Sequence, residues 1–178
     1  MSRSVKHCVT VAALGALLTG CGLTQSISDS TTSTTQAIFY KQVKTLHLDF
    51  SARAGMNTHL QDMNALSVPT LVRVYQLRDG KALEKASYDS LLGDDDSVLR
   101  SDLLETRTLV VKPGEGTQLS VPMDKEAKVV SVVALFRQPD THLNNWRLTL
   151  TRDDLNPDRA RVVELGDNRL TLRALAKE

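Results

Sequence analysis

Ten residues in the second half of the chain, Lys128-Val129-Val130-Ser131-Val132-Val133-Ala134-Leu135-Phe136-Arg137, limit the fold more than any other stretch. They are apolar on both sides of an extended backbone, so a strand here needs cover on both faces and belongs inside a sheet. Other segments show the same habit more openly. Leu46, Leu48 and Phe50 alternate with His47, Asp49 and Ser51, the pattern of a strand with one buried face. Pro69 opens a second strand over 70–77, apolar on both faces and closed by the Asp79-Gly80 turn. Further strands are expected over 106–112, 117–121, 145–150, 161–165 and 169–174, with turns at Pro113-Gly114-Glu115-Gly116 and Gly166-Asp167-Asn168. From Leu83 to Leu104 the apolar residues fall at helical spacings around Gly93-Asp94-Asp95-Asp96. That spacing predicts two short helices broken at Gly93, the second capped by an acidic residue. Eight short strands and one helical insertion near 83–104 predict an all-β chain folded as a two-sheet β-sandwich.

The N-terminus says where such a domain would reside. Arg3, Lys6 and His7 precede an apolar run from Val9 that ends in Leu18-Thr19-Gly20-Cys21. Basic, apolar, small and then cysteine is the order of a bacterial lipoprotein signal. The run is about half of the ~20 residues that cross a bilayer as a helix, so residues 1–20 are expected to be removed. Cys21 then carries a diacylglycerol thioether and becomes the acylated first residue. Several acyl chains at one site anchor stably, because each buried methylene contributes about 0.8 kcal/mol. In such lipoproteins an aspartate after the cysteine often marks inner-membrane retention; Gly22 stands there, which favours the outer membrane. Residues 21–37 read as the acylated cysteine and a Ser/Thr-rich tether, a coil with a reach of roughly 20 Å. The sandwich is expected over 38–178.

Removing residues 1–20 from 178 leaves 158, enough for one domain with its own core. Cys8 leaves with the signal and Cys21 is acylated, so no disulfide pair remains. The chain has 22 basic and 21 acidic residues, and Arg3 and Lys6 are also lost. No basic surplus is left to bind nucleic acid.

Catalytic patterns are sparse. The mature chain offers His47, His59 and His142 without a second cysteine, a Gly-x-Ser-x-Gly elbow, a phosphate loop or a histidine pair at metal spacing. Asp94, Asp95 and Asp96 lack the alternation and distal glutamate of a calcium loop and read as a solvated helix cap. Asp153 and Asp154 precede Pro157 and read as turn chemistry. No enzyme, metal or cofactor is expected. The stretch from Ala52 to Ser67 is a long connection with no strand period, and connections of that length inside a compact domain are often functional.

Several segments together resemble a known family: the lipobox at Cys21, the Ser/Thr tether, Val72-Arg73-Val74-Tyr75-Gln76-Leu77, Leu109-Val110-Val111-Lys112-Pro113-Gly114, Val132-Val133-Ala134-Leu135-Phe136-Arg137 and Trp146-Arg147. The chain resembles the outer-membrane lipoproteins of the type VI secretion system, the TssJ or SciN family. The resemblance implies a transthyretin-like sandwich with a small helical addition and a role without catalysis. It implies that the lipoprotein tethers the membrane complex by binding the periplasmic C-terminal domain of the inner-membrane protein TssM, with TssL as a further component and outer-membrane lipid holding Cys21. It also implies that the connection between the first two strands, Ala52 through Ser67 here, contributes to that contact. In this stretch Met56, Leu60, Met63 and Leu66 are ringed by Asn57, His59, Gln61, Asp62 and Asn64, an apolar centre with a polar rim as in an interface. The alternative is a small-ligand or carbohydrate-binding module facing the periplasm. That needs a pocket lined by aromatics, and the chain has three Phe, three Tyr and one Trp.

Overall fold

Alternation carries through into burial in the first strand, β1 (Thr45–Ala52), where Leu46, Leu48, Phe50 and Ala52 are buried and the residues between them half-exposed. The computed structural model describes residues 43–58 and 66–175, which belong to the unit Gln42–Glu178. The signal, Cys21 and the tether lie outside the described residues. After β1 come β2 (Thr70–Leu77), helices α1 (Lys81–Lys85) and α2 (Tyr88–Leu99), β3 (Leu103–Val111), β4 (Gly116–Pro122), β5 (Val129–Leu135), β6 (Arg147–Thr151), a 3-10 turn (Arg152–Asp154), β7 (Arg161–Gly166) and β8 (Arg169–Leu172). These strands form two four-stranded sheets, ordered β4-β1-β7-β8 and β3-β2-β5-β6. β1 and β7 run parallel, and the other pairings are antiparallel. The expected two-sheet sandwich is what forms.

Register assigns each apolar residue to a face. Val74 of β2 stands opposite Val132 of β5, which stands opposite Leu148 of β6. This row faces Leu48, Phe50, Val163 and Leu165 of the other sheet, and all but the partly covered Leu148 are fully buried. The reverse face of the β2–β5 sheet is covered in part by the helices. Arg73 of β2 donates from Nη1 to the Leu91 carbonyl (2.6 Å) and pairs with Asp95 (3.1 Å), while the Tyr75 hydroxyl donates to the other Asp95 oxygen (2.7 Å). Burial first, and then the hydrogen bond to Asp95, push the Tyr75 hydroxyl far above its ordinary value. From β6, Arg147 donates to the carbonyls of Leu83 (2.5 Å), Ala86 (3.2 Å) and Glu84 (3.3 Å) at the C-terminal end of α1. Tyr88 meets Trp146 edge to face at 5.2 Å and donates to the Phe136 carbonyl (2.6 Å).

The helical insertion departs from expectation in three ways. It ends at Leu99, and Leu103 and Leu104 already belong to β3. Leucines spaced by four suit a helix, yet a short apolar run serves a strand equally well. The break falls at Asp94 (φ −152°), one residue past Gly93, and the Asp94 carboxylate accepts from the Ser97 amide (3.1 Å) as the cap of the second helical segment. Asp95 is no solvated cap: it is the anion beneath the helix that holds Arg73 and Tyr75. Asp95→Ala is expected to lower stability by about 2 kcal/mol, the cost of stranding a partly buried guanidinium and a hydroxyl. Asp94→Ala removes only a cap, about 1 kcal/mol. Equal melting temperatures for the two variants would refute the distinction.

The topology gives the sandwich two unlike ends. At the near end the chain reaches β1 through Val43, and Arg152 ties this point down by donating to the carbonyls of Val43 (3.2 Å), Ala127 (2.6 Å) and Asp124 (2.6 Å). β1 then runs eight residues, about 25 Å, to the far end.

Candidate docking site at the far end

Four connections meet at the far end: 53–69 between β1 and β2, 112–115 between β3 and β4, 136–146 between β5 and β6, and the Asp167-Asn168 turn of the β7–β8 hairpin. The first of these is tied to its neighbours where it leaves β1. The Ala52 amide donates to Glu115 (3.1 Å) and the Arg53 amide to Leu165 (2.8 Å). At Gly166 the Arg53 side chain lies close, 2.7 Å from where a Cβ would stand, so a larger residue there would have to push that exposed arginine aside.

Two residues then turn the chain inward. Met56 is completely buried in the core. Asn57 is buried with φ at +51°, a left-handed conformation that asparagine tolerates better than most residues. Its side chain fastens the loop at two points, accepting from the Arg137 amide (2.7 Å) and donating to the Pro69 carbonyl (3.3 Å). Asn168, also left-handed, donates from its side chain to the Thr58 carbonyl (2.9 Å). The start of the loop is thus bound to its own last residue, to the β5–β6 connection and to the β7–β8 turn.

This changes the sequence-based picture of the loop. Met56 and Asn57 were expected among the residues of a docking surface, but they point into the protein and hold the loop in place. The apolar thioether is worth more in the core than in water, and the amide offers one acceptor to the Arg137 amide and one donor to the Pro69 carbonyl. Leu66 is 65% exposed. His59, Leu60, Gln61, Asp62, Met63 and Asn64 lie outside the described residues. Asn57→Gly keeps the backbone conformation and deletes both side-chain bonds, so it is expected to cost about 1–3 kcal/mol, and Asn57→Ala more because of φ. Hydrogen exchange at the Arg137 amide should accelerate in both; unchanged exchange would refute the clamp.

The β5–β6 connection, which the sequence analysis did not single out, is ordered in its own right. The Asp140 carboxylate accepts from the amides of His142 (3.0 Å) and Leu143 (2.9 Å), and Asn144 is left-handed. This turn holds Leu143 out at 74% exposure. The Asn144-Asn145 pair after Asp140 was the available signal.

Among the described residues, two depressions lack the lining of a small-ligand site. The larger depression, about 700 Å³, is at the near end against Val43, Lys44, Met123, Lys125 and Arg152, with no aromatic among these lining residues. The Arg152 guanidinium there is already committed to backbone carbonyls. A smaller one, about 200 Å³, lies on the polar face of β1 and β4, where His47 Nδ1 and the Ser120 hydroxyl are 3.0 Å apart in an exposed pair. Among the described residues no cluster of histidine, cysteine or acidic side chains is arranged to hold a metal.

Comparison with known families decides the assignment: the T6SS-SciN family, described as type VI secretion lipoprotein and including VasD, EvfM and TssJ, matches residues 44–172. The chain belongs to the type VI secretion lipoprotein family. No curated protein sequence matches. Among solved structures, a chain of one described as "Type VI membrane complex" is 37% identical, with a TM-score of 0.70 over 75% of this lipoprotein and 100% of that chain. A chain in the structure of the T6SS protein TssM C-terminal domain (869-1107) from EAEC is 34% identical, with a TM-score of 0.67 over 75% of this chain and 100% of the other. The Pseudomonas aeruginosa T6SS lipoprotein TssJ1 shares the fold at 21% identity, with a TM-score of 0.59 over 76% and 100% of the two chains. The matched residues begin one position after Val43, so the family domain is the sandwich with its helical insertion.

Proposed function

We propose that this lipoprotein is held in the outer membrane by acylated Cys21 and docks the periplasmic C-terminal domain of TssM with its far end, tethering the type VI membrane complex that also contains TssL. The observation that carries the reading is the likeness to a chain in the TssM C-terminal domain structure. That match takes in the whole of the other chain with three-quarters of these 178 residues, whereas the stated TssM span, 869–1107, is longer than this entire protein. The likeness to a chain of the type VI membrane complex supports the same role. The role is mechanical, holding one macromolecule against another, and it involves no catalysis, metal or cofactor.

The test is binding of the purified TssM domain to the lipidated protein in detergent. Replacing residues 59–65 by a short Gly-Ser link leaves Met56 and Asn57 in place. It is expected to weaken binding at least tenfold with an unchanged melting temperature. Shortening the whole of 52–67 is a poorer experiment, because it also removes Met56 from the core. Parent affinity after the 59–65 replacement would show that this loop is not the docking element.

A further inference from the structure

A strand at the margin of a sheet leaves a row of amide and carbonyl groups without a strand partner, and it needs either a guard or another strand. β3 is such a margin: nine residues long, it pairs with β2 alone among the described residues. No proline or lysine interrupts it, and it carries an ion pair between Arg107 and Glu105. Register places both charges on one face. Glu105 stands opposite Gln76 and Thr108 opposite Arg73, so Glu105, Arg107 and Leu109 turn towards the other sheet, while Thr106 and Thr108 are on the helix-bearing face. The Gln76 side chain donates to the Glu105 carboxylate (2.8 Å) and holds it in place, whereas Arg107 is half-exposed. Charges that turn inward from an edge deter most approaching strands, because an arriving chain must strip them of water. They admit a strand whose own charges match.

We propose that β3 is a self-pairing edge, joined antiparallel to β3 of a second copy of this chain about a two-fold axis at Thr106. Such an axis sets Glu105 opposite Arg107 of the second copy, and Arg107 opposite the second copy's Glu105. Each intrachain pair is exchanged for two pairs across the junction. The same axis sets Leu103 opposite Leu109, both of them already packed in part against the core. Neighbouring registers fail. An axis at Glu105 or at Arg107 sets a charge against its own kind, and an axis at Leu104 or Thr108 sets a charge against a leucine. An axis between two residues would bring helix-face side chains against those of the opposite face. The charges on this strand therefore select one pairing and disfavour the others. The anchor proposed above adds to it, since copies confined to one membrane surface meet at a raised effective concentration.

Once Cys8 has left with the signal, the chain has no thiol except that of Cys21, so an introduced cysteine reports alone. Thr106→Cys puts two sulfurs on the axis, with Cβ atoms about 4.5–5.5 Å apart and within reach of a disulfide. Thr108→Cys stands off the axis and leaves its two copies about 13 Å apart along the strands. With the lipidated protein in phospholipid vesicles under a mild oxidant, Thr106→Cys is expected to cross-link into dimers at least tenfold faster than Thr108→Cys. Charge gives a second reading, by sedimentation in detergent. Arg107→Glu and Glu105→Arg should each weaken self-association at least tenfold, whereas an equimolar mixture of the two restores it, because unlike charges then meet only between the two variants. Equal cross-linking at 106 and 108 overturns the proposal, as does a parent that stays monomeric in both experiments. So does a mixture that stays monomeric while the parent dimerises. The cysteine variants keep every charge, so the cross-linking result stands even where a charge reversal lowers the melting temperature. Neither experiment uses TssM, so the outcome is separate from that of the docking test.

Discussion

Val132→Asp is expected to leave no cooperative thermal transition. Val132 is completely buried, and its cross-strand neighbours are Val74 on one side and Leu148 on the other. A carboxylate there stands between apolar cross-strand neighbours, and an unpaired buried charge costs several kcal/mol against a total stability of about 5–15 kcal/mol. The lost valine burial adds about 1.5–3 kcal/mol. Val133→Asp, one residue on, should be milder although Val133 is equally buried. Its neighbours in register are Arg73 and Arg147. Two guanidinium groups offset part of the desolvation of a new carboxylate, so this variant is expected to fold with a lowered melting temperature. Circular dichroism of both variants against temperature reads the difference. A Val132→Asp protein that melts like the parent would mean that β5 does not face the core as described.

Cys21→Ser is the second large effect, and it acts on location instead of folding. Serine cannot form the thioether, so no acyl chain is attached and the roughly 0.8 kcal/mol per buried methylene is lost for every methylene at once. The folded unit Gln42–Glu178 contains neither Cys21 nor any element that crosses a bilayer as a helix among its described residues. The variant should therefore appear as a folded protein in the soluble periplasmic fraction, with the membrane fraction emptied and secretion abolished. Recovery of Cys21→Ser protein with the outer membrane at the parent level would sink the assignment of the anchor.

Much of the fold was legible because a strand writes its period locally. Leu46, Leu48 and Phe50 announce β1, and Trp146, Leu148 and Leu150 do the same for β6. The helical insertion was legible as helix, but not its C-terminal boundary, where Leu103 and Leu104 fit either period, nor its break at Asp94, nor the ion-pairing role of Asp95. The candidate site was legible mainly as a length of chain between two strands. Which of its side chains face outward was not, since Met56 and Leu66 are both apolar residues in one loop and only one of them is buried.

The order of residues alone determined the class of the molecule: the basic, apolar, small, cysteine order ending at Cys21, a Ser/Thr-rich stretch after it, and strands whose alternation or double apolarity required two sheets. Those signals need only near neighbours, because backbone periodicity and signal processing both act on short segments. Tertiary structure alone decided that β1 runs beside β7 in parallel, that Asp95 is the counter-ion of Arg73 twenty-two positions away, and that Asn57 fastens Pro69 and Arg137. Each of these pairs residues distant in sequence, and nothing in either member's neighbourhood specifies the other. It also decided which side of the doubly apolar β5 faces the sandwich interior and which faces the helices, because a strand buried on both faces has no local asymmetry to reveal it.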